Sequence, residues 1–217
     1  MDEELAYERI SFRKIKMTEK IIISGFGGQG IMFLGKLLAL AATRQGMFVT
    51  FLPAYGAEVR GGASYCSVII SDKEIASPCV EKADTLIAMN APSLEKFSSW
   101  TREGADVFAN SSMLNGAKRA ASLKWHLVPF TDIALKLGNV KSANMAALGA
   151  YLGAKESIKR TAKIAKKVTA EGDFLACKES IPLENIFKLL PEFLKDNKEL
   201  IELNKKAIEE GLKNGKS

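Results

Sequence analysis

Two glycine-rich segments, about thirty residues apart, constrain this sequence more than any other feature. The first, Gly25–Gly30, follows the short β-branched run Ile21–Ser24 and precedes an apolar, alanine-rich stretch that is typical of a helix. The second, Tyr55–Gly62, also follows an apolar run. A strand, a glycine turn and a helix in this order leave backbone N–H groups free where the helix dipole attracts an anion. The pattern therefore predicts a phosphate-sized cradle at the end of a buried strand.

Size and composition favour one α/β domain in the cytoplasm. The chain has 217 residues, of which 47% are apolar and 26% charged, as in soluble globular proteins. The longest apolar run, Ile31–Ala42, contains Gly35 and Lys36 and is shorter than the roughly 18 residues that span a bilayer. The first residues are charged and aperiodic and lack a signal core. We expect residues 1–18 to be an extension and residues 19–217 to be one α/β domain.

Cysteine and histidine are too few and too scattered for a metal centre or a nucleophile–histidine pair. The three cysteines, Cys66, Cys79 and Cys177, show no Cys-x-x-Cys spacing. The single histidine, His126, lies in an apolar run, where an ordinary strand residue is expected more often than a catalytic base. The sequence therefore predicts no metal site and no catalytic residue in this chain.

The net charge of +6 does not indicate nucleic-acid binding, because acids and bases alternate along most of the chain. The exception is a set of lysines at four-residue spacing, which share one helical face: Lys155, Lys159, Lys163 and Lys167. A solvated outer face is the favoured interpretation of this set, and a docking surface for an acidic partner is the alternative.

The hydrophobic pattern alternates strands with helices and then becomes helical. Strands are predicted at 21–24, 48–52, 64–70, 85–89, 105–109 and 125–128. Helices are predicted at 31–44, from Pro92, from Thr131 toward Gly138, and at 146–154, 158–168, 185–194 and 196–212. The first strand, helix and second strand read as a βαβ unit. The fold class expected is α/β: three layers, a mostly parallel sheet with helices on both faces, and a helical C-terminal portion.

Four interpretations of the first glycine segment can be compared at the level of residue patterns. Gly25, Gly27 and Gly30 match the dinucleotide motif, but no acid ends the second strand to bind a ribose. A P-loop would need Ser or Thr after Lys36, where Leu37 stands. A backbone site for a phosphorylated substrate and a purely structural set of tight turns are equally favoured.

The motifs together resemble a known family. The sequence GFGGQGI at 25–31, YGAEVRGG at 55–62, Ser77-Pro78 and ADTLIAMN at 83–90 is similar to the gamma subunit of 2-oxoacid:ferredoxin oxidoreductases. The resemblance covers roughly residues 20–153. The form of the second glycine segment looks most like the 2-oxoglutarate or branched-chain enzymes, with pyruvate as a further possibility.

The resemblance implies a subunit of an enzyme that oxidatively decarboxylates a 2-oxoacid to its acyl-CoA and reduces ferredoxin. It implies that thiamine diphosphate, magnesium and iron–sulfur clusters are bound by partner chains, namely alpha, beta and a delta subunit, and that the gamma chain alone is inactive. No nucleic acid and no membrane are expected as partners.

The resemblance also implies that the glycine segments contribute to coenzyme A binding. Carried over by motif, the candidate residues are Gly27, Gly28, Gln29, Gly30, Arg60, Gly61 and Asn90. Helix-terminal N–H groups and a guanidinium suit the phosphates of coenzyme A. Two rival functions are a non-catalytic assembly subunit, in which these segments only form interfaces, and a free-standing nucleotide-binding enzyme.

Overall fold

The fold is a six-stranded sheet with helices on both faces. The computed structural model describes residues 18–54, 63–168 and 181–216, with the backbone alone for 63 and 158–168. The strands are β1 (Thr18–Phe26), β2 (Phe48–Ala54), β3 (Ala63–Ser71), β4 (Ala83–Ala88), β5 (Thr101–Asn110) and β6 (Lys124–Val128). The helices are α1 (Ile31–Thr43), α2 (Ala91–Ser98), α3 (Phe130–Lys136), α4 (Ala143–Val168), α5 (Leu183–Leu194) and α6 (Lys198–Gly215). None of these helices is both long and apolar enough to cross a bilayer.

The strand order is β2-β3-β1-β4-β5-β6. The neighbouring strands β1, β4, β5 and β6 run parallel to one another. Strand β3 pairs antiparallel with both β1 and β2. The predicted mostly parallel α/β sheet is therefore confirmed. The two strands of the predicted βαβ unit, β1 and β2, run parallel but do not pair with each other, because β3 lies between them. Local hydrophobic patterning predicts a strand but carries no information on which neighbour it pairs with.

Two apolar clusters cover the faces of the sheet unequally. The larger lies under α1, α3, α4, α5 and α6, and the smaller lies under α2, where Phe97 and Leu94 pack on Ile22 and Leu86. β1 is buried on both faces because Ile21 and Ile23 belong to the larger cluster and Ile22 to the smaller. This explains why its run is continuously apolar rather than alternating.

Helices α4 and α6 pack together through glycines. A Cβ atom added at any of four positions would overlap backbone atoms of the facing helix: Gly149, Gly153, Gly211 and Gly215. Each helix thus carries a Gly-x-x-x-Gly pair, which places the glycines on one face and lets the two backbones touch.

Two predictions about the second half of the chain need correction. The helices predicted at 146–154 and 158–168 are one helix, α4, because no residue between them breaks the pattern. Thr131 does not cap α3, whose cap position is held by Pro129. The predicted extension 1–18 lies outside the described residues apart from Thr18, which begins β1.

Candidate functional site

The first glycine segment lies at the carboxyl edge of the parallel strands. β1 ends at Phe26 and its parallel neighbour β4 ends at Ala88, so the segments that follow them are adjacent. The N–H of Met89 donates to the carbonyl of Ser24, which holds the two chain segments together at 2.9 Å. Open α/β sheets bind ligands at this edge, where helix N-termini and loops meet.

Residues 26–29 form a tight turn that delivers the chain to α1. The N–H of Gln29 donates to the carbonyl of Phe26 at 3.2 Å, and Gly28 has φ 91°, which disfavours any residue with a side chain. Gly30 follows with φ 73° at the cap position of α1, and no described side chain caps this helix. The N–H groups in the first turn of α1 therefore lack helical partners.

The four glycines of this turn are glycine for two different reasons. Added Cβ atoms at Gly25 and Gly30 would meet Gln29 Oε1 and Asn144 Nδ2, so these two positions allow close packing. At Gly27 and Gly28 no atom of the described residues lies within 4 Å of an added Cβ. Both residues are exposed, as a backbone anion site requires.

The side chains of Gln29 and Asn90 bind to each other and to the protein backbone. Gln29 Oε1 accepts hydrogen bonds from the Phe26 N–H and from Asn90 Nδ2, each at 2.7 Å. Asn90 Oδ1 accepts from the N–H of Ser93 at 2.9 Å and so caps α2, while Gln29 Nε2 contacts Met113 Sδ at 3.7 Å. Both residues lie beside the glycine turn, where their side-chain oxygens accept hydrogen bonds from protein groups.

Two further asparagines, which the sequence did not single out, belong to the same edge. Asn144, at the start of α4, donates from Nδ2 to the carbonyl of Gly30 at 3.0 Å, and its buried Oδ1 has no hydrogen-bond partner in the part of the chain that the structure describes. Asn110, at the end of β5, donates to the carbonyl of Met89 at 3.0 Å and to Thr131 Oγ1 at 2.8 Å. A buried strand that ends in Asn was the available signal for Asn110, but nothing local marks Asn144.

Amides rather than charged groups therefore surround the turn. Among the described side chains that hydrogen-bond to the backbone of Gly25–Gly30, namely Gln29, Ser64 and Asn144, none carries a charge. Such a site is suited to holding an anion through N–H groups and offers no general base there. Arg60 and Gly61 lie outside the described residues. The flanking residues Ala54 and Ala63 end β2 and begin β3 at this same edge of the sheet.

A second polar cluster lies toward the amino ends of the strands, beneath α4. Glu19 Oε1 accepts from Thr85 Oγ1 at 2.7 Å and pairs with Lys155 Nζ at 2.8 Å, and Glu19 Oε2 accepts from the buried Tyr151 hydroxyl at 3.0 Å. Asp106 pairs with Lys155 at 3.5 Å and with His126 at 2.9 Å. The prediction that Lys155 lies on a solvated face is wrong, because it forms two ion pairs against the sheet. The side chains of Lys159, Lys163 and Lys167 are outside the described residues.

Electrostatics in this cluster favour the charged forms of Lys155 and Asp106. Burial alone would lower the pKa of Lys155, but Glu19 and Asp106 outweigh burial and raise it. Burial alone would raise the pKa of Asp106, but the His126 hydrogen bond and the Lys155 charge lower it. His126 lies in β6 and stacks on Phe108 with 4.4 Å between ring centroids. The cluster thus joins α4 to β1, β5 and β6.

Comparison with known proteins gives a consistent family assignment. The family described as Pyruvate ferredoxin/flavodoxin oxidoreductase matches residues 20–214. The ketoisovalerate oxidoreductase subunit VorA of Methanothermobacter marburgensis is 39% identical over 141 residues, which are 65% of this chain. The match spans only 28% of the length of that relative. The 2-oxoglutarate synthase subunit KorC of Methanocaldococcus jannaschii is 36% identical over 143 residues, covering 64% of this chain and 75% of the relative.

A solved structure shows the same fold. The 2-oxoglutarate:ferredoxin oxidoreductase from Magnetococcus marinus, determined with 2-oxoglutarate, coenzyme A and succinyl-CoA bound, superposes with a TM-score of 0.70 at 20% identity. The superposition covers 92% of this chain and 31% of that one.

Proposed function

Because the chain belongs to the pyruvate ferredoxin/flavodoxin oxidoreductase family, we propose that it is the gamma subunit of a 2-oxoacid:ferredoxin oxidoreductase. The assembled enzyme decarboxylates a 2-oxoacid, transfers the acyl group to coenzyme A and passes the released electrons to ferredoxin. Thiamine diphosphate, magnesium and the iron–sulfur clusters belong to alpha, beta and delta partners. This chain contributes to coenzyme A binding and to assembly in the cytoplasm, and it is inactive alone.

The 2-oxoacid of this proposal is 2-oxoglutarate. The KorC relative is named for 2-oxoglutarate and the VorA relative for ketoisovalerate, at similar identity to this chain. The alternative is therefore a complex of the same type that acts on 2-oxoisovalerate or pyruvate. Assay of the assembled enzyme with the three acids at equal concentration distinguishes them, and the highest kcat/KM identifies the substrate.

The single observation that supports coenzyme A binding is the exposed turn at Gly27 and Gly28. Both glycines are exposed, and they precede the N-terminus of α1, a 13-residue helix without a side-chain cap among the described residues. Coenzyme A carries phosphates, which such N–H groups bind, and the guanidinium of Arg60 would add a charge-assisted contact. Gly30 and Gly61 serve this proposal as backbone positions beside those contacts.

The test uses the assembled enzyme with three variants of this chain. Gly27→Ala adds a methyl group where a phosphate would lie, and Arg60→Ala removes the guanidinium. Each is expected to raise the KM for coenzyme A by roughly ten- to a hundredfold, since one charge-assisted contact contributes roughly 1.5–3 kcal/mol. Arg44→Ala is the matched control, because Arg44 lies at the far end of α1 in an exposed pair with Glu192. Reduction of the iron–sulfur clusters of the assembled enzyme by the 2-oxoacid, without coenzyme A, should persist in all three variants.

A purely structural role is the second candidate, and the internal bonds of Gln29 and Asn90 favour it. In that case assembled enzyme containing Gly27→Ala or Arg60→Ala keeps the wild-type KM for coenzyme A. Loss of assembly in both variants, with assembly retained in Arg44→Ala, gives the same answer.

A further inference from the structure

We propose that Gln29 is a positioning residue for anion binding, which shapes the turn at Gly27 and Gly28 through its side-chain oxygen. The inference rests on the proposed function, because the anion in question is a phosphate of coenzyme A. In this proposal Gln29 and Asn90 do not contact the ligand. They hold in place the backbone that contacts it.

The hydrogen bonds around Gln29 support this role. Two donors from different parts of the chain, the Phe26 N–H and Asn90 Nδ2, converge on the one oxygen Oε1 at 2.7 Å each. The main chain of Gln29 closes the same turn from the other side by donating to the Phe26 carbonyl. Both ends of the turn are thereby tied to a single residue, and through Asn90 to the cap of α2.

The packing of Gly25 makes this side-chain position possible. An added Cβ at Gly25 would lie 2.8 Å from Gln29 Oε1 and 3.1 Å from Met89 Cβ. Absence of a side chain at position 25 therefore makes room for the carboxamide beneath the turn. The position of the Gln29 side chain therefore requires glycine at position 25.

The consequence for binding is a set of backbone N–H donors without a hydrogen-bond partner among the described residues. Gln29 Oε1 satisfies the Phe26 N–H, whereas within the described ranges no hydrogen bond is found from the N–H groups of Gly27, Gly28 or Gly30. A neutral amide is also the appropriate acceptor here. A carboxylate would accept the same two hydrogen bonds but would place a negative charge beside the incoming phosphate.

Two variants separate the shape of the turn from its charge. Gln29→Glu keeps an oxygen in place and adds a charge, so the enzyme is expected to assemble and to keep its thermal midpoint. Its KM for coenzyme A should rise about tenfold or more, equal to about 1.4 kcal/mol, with kcat little changed at saturation. The increase should shrink as ionic strength rises, because salt screens the repulsion. Gln29→Leu removes the acceptor without charge and should raise KM at every ionic strength and lower the thermal midpoint.

Asn197→Ala serves as the matched stability control. Asn197 caps α6 through the N–H of Leu200 at 3.1 Å, as Asn90 caps α2, but it belongs to a different part of the fold. This variant should lose stability, by the amount typical of a helix cap, and keep the wild-type KM for coenzyme A. A general loss of stability thus cannot imitate the change in KM.

The outcomes distinguish this inference from the proposed function. If Gly27→Ala raises the KM for coenzyme A while Gln29→Glu and Gln29→Leu leave it unchanged, the turn binds the ligand and Gln29 has no positioning role. If Gln29→Glu prevents assembly, a carboxylate oxygen does not replace the amide oxygen, and the hydrogen-bonding scheme is wrong. If neither Gly27→Ala nor Arg60→Ala changes the KM, the proposed function itself fails, and the inference with it.

Discussion

Individual residues in this chain take properties from burial that their sequence context does not reveal. Cys66 is buried below α1, where its Sγ contacts the carbonyl of Ile31 at 3.5 Å, whereas Cys79 is exposed. Burial raises the pKa of the Cys66 thiol from 9.0 to about 12. The scattered spacing of the cysteines predicts no metal site, but it does not separate a buried thiol from an exposed one.

The raised pKa of Cys66 predicts a loss of stability in alkali. The folded state keeps the thiol proton above pH 9, where the unfolded state releases it, so the contribution is complete below pH 9 and declines toward pH 12. We expect the free energy of unfolding to fall by about 1.4 kcal/mol per pH unit once well above pH 9. Urea unfolding from pH 8 to 10 should show a shallower decline for Cys66→Ala. Equal slopes in the two proteins would contradict this assignment.

Alkylation provides an independent check on the same pair of residues. Iodoacetamide at pH 8 should modify Cys79 in the folded chain and leave Cys66 unmodified, as peptide mass spectrometry would show. Both should react in 6 M guanidinium chloride. Rapid modification of folded Cys66 would mean that its thiol is accessible and ionisable.

At the scale of elements, α4 is fixed to the sheet by charge and to α6 by close packing. The cluster of Glu19, Asp106, His126 and Lys155 ties it to three strands. The glycines tie it to α6. Both attachments depend on residues that are far apart in the sequence.

The charge cluster predicts a strong dependence on Lys155. Lys155→Met leaves the carboxylates of Glu19 and Asp106 without their shared cation, and a loss of about 2–4 kcal/mol in the free energy of unfolding is expected. Lys188→Met is the matched control, since Lys188 pairs with Glu184 while both side chains are mostly exposed. It should cost no more than about 0.5 kcal/mol. Similar losses in the two variants would show that the buried pair contributes nothing special.

The glycine packing predicts an unusual penalty for alanine in a helix. Gly211→Ala should destabilise the chain by about 3 kcal/mol, although alanine favours helices, because the methyl group overlaps the carbonyl of Ala146 and the helices must separate. Gly27→Ala is the control, as its added methyl meets no atom of the described residues within 4 Å. Thermal unfolding of both variants measures the difference. A stabilised Gly211→Ala chain would show that the helices pack less closely.

Prediction from sequence succeeded for elements and failed for their partners. All six strands were placed, because β-branched apolar runs such as Ile21–Ile23 have a clear local signature. The antiparallel insertion of β3 was missed, since strand pairing depends on contacts across the sheet. Lys155 was misplaced because helical spacing shows which residues share a face but not whether acids of a distant strand lie opposite. The glycine turn was located correctly, whereas the bracing by Gln29 emerged only from the hydrogen bonds.

At the scale of the whole molecule, the sheet is covered unequally. Helices α1, α3, α4, α5 and α6 cover one face and α2 covers part of the other. Large apolar side chains remain exposed on the edge strand β2, where Phe48 is 49% and Leu52 43% accessible. Under the proposed function, the catalytic apparatus would belong to other chains, and the turn at Gly27 and Gly28 would supply binding groups alone.

This division of labour predicts how activity depends on assembly. The purified chain should neither reduce ferredoxin nor consume a 2-oxoacid, whether or not coenzyme A is present. Anaerobic affinity purification from the source should recover partner chains with thiamine diphosphate and iron–sulfur clusters, and that preparation should be active. Native mass spectrometry and a 2-oxoacid assay on the same fractions make the measurement. An isolated chain without partners, or one active alone, would contradict the proposed subunit.

The seam between α4 and α6 also limits which sequences can carry this fold. Any substitution of glycine adds at least one carbon atom, so every missense change in one of these codons introduces a larger residue. At positions 149, 153, 211 and 215 every such change meets backbone rather than a movable side chain. Saturation mutagenesis should find that these four positions tolerate almost no substitution. The exposed position 27 should accept small residues wherever selection acts on folding alone.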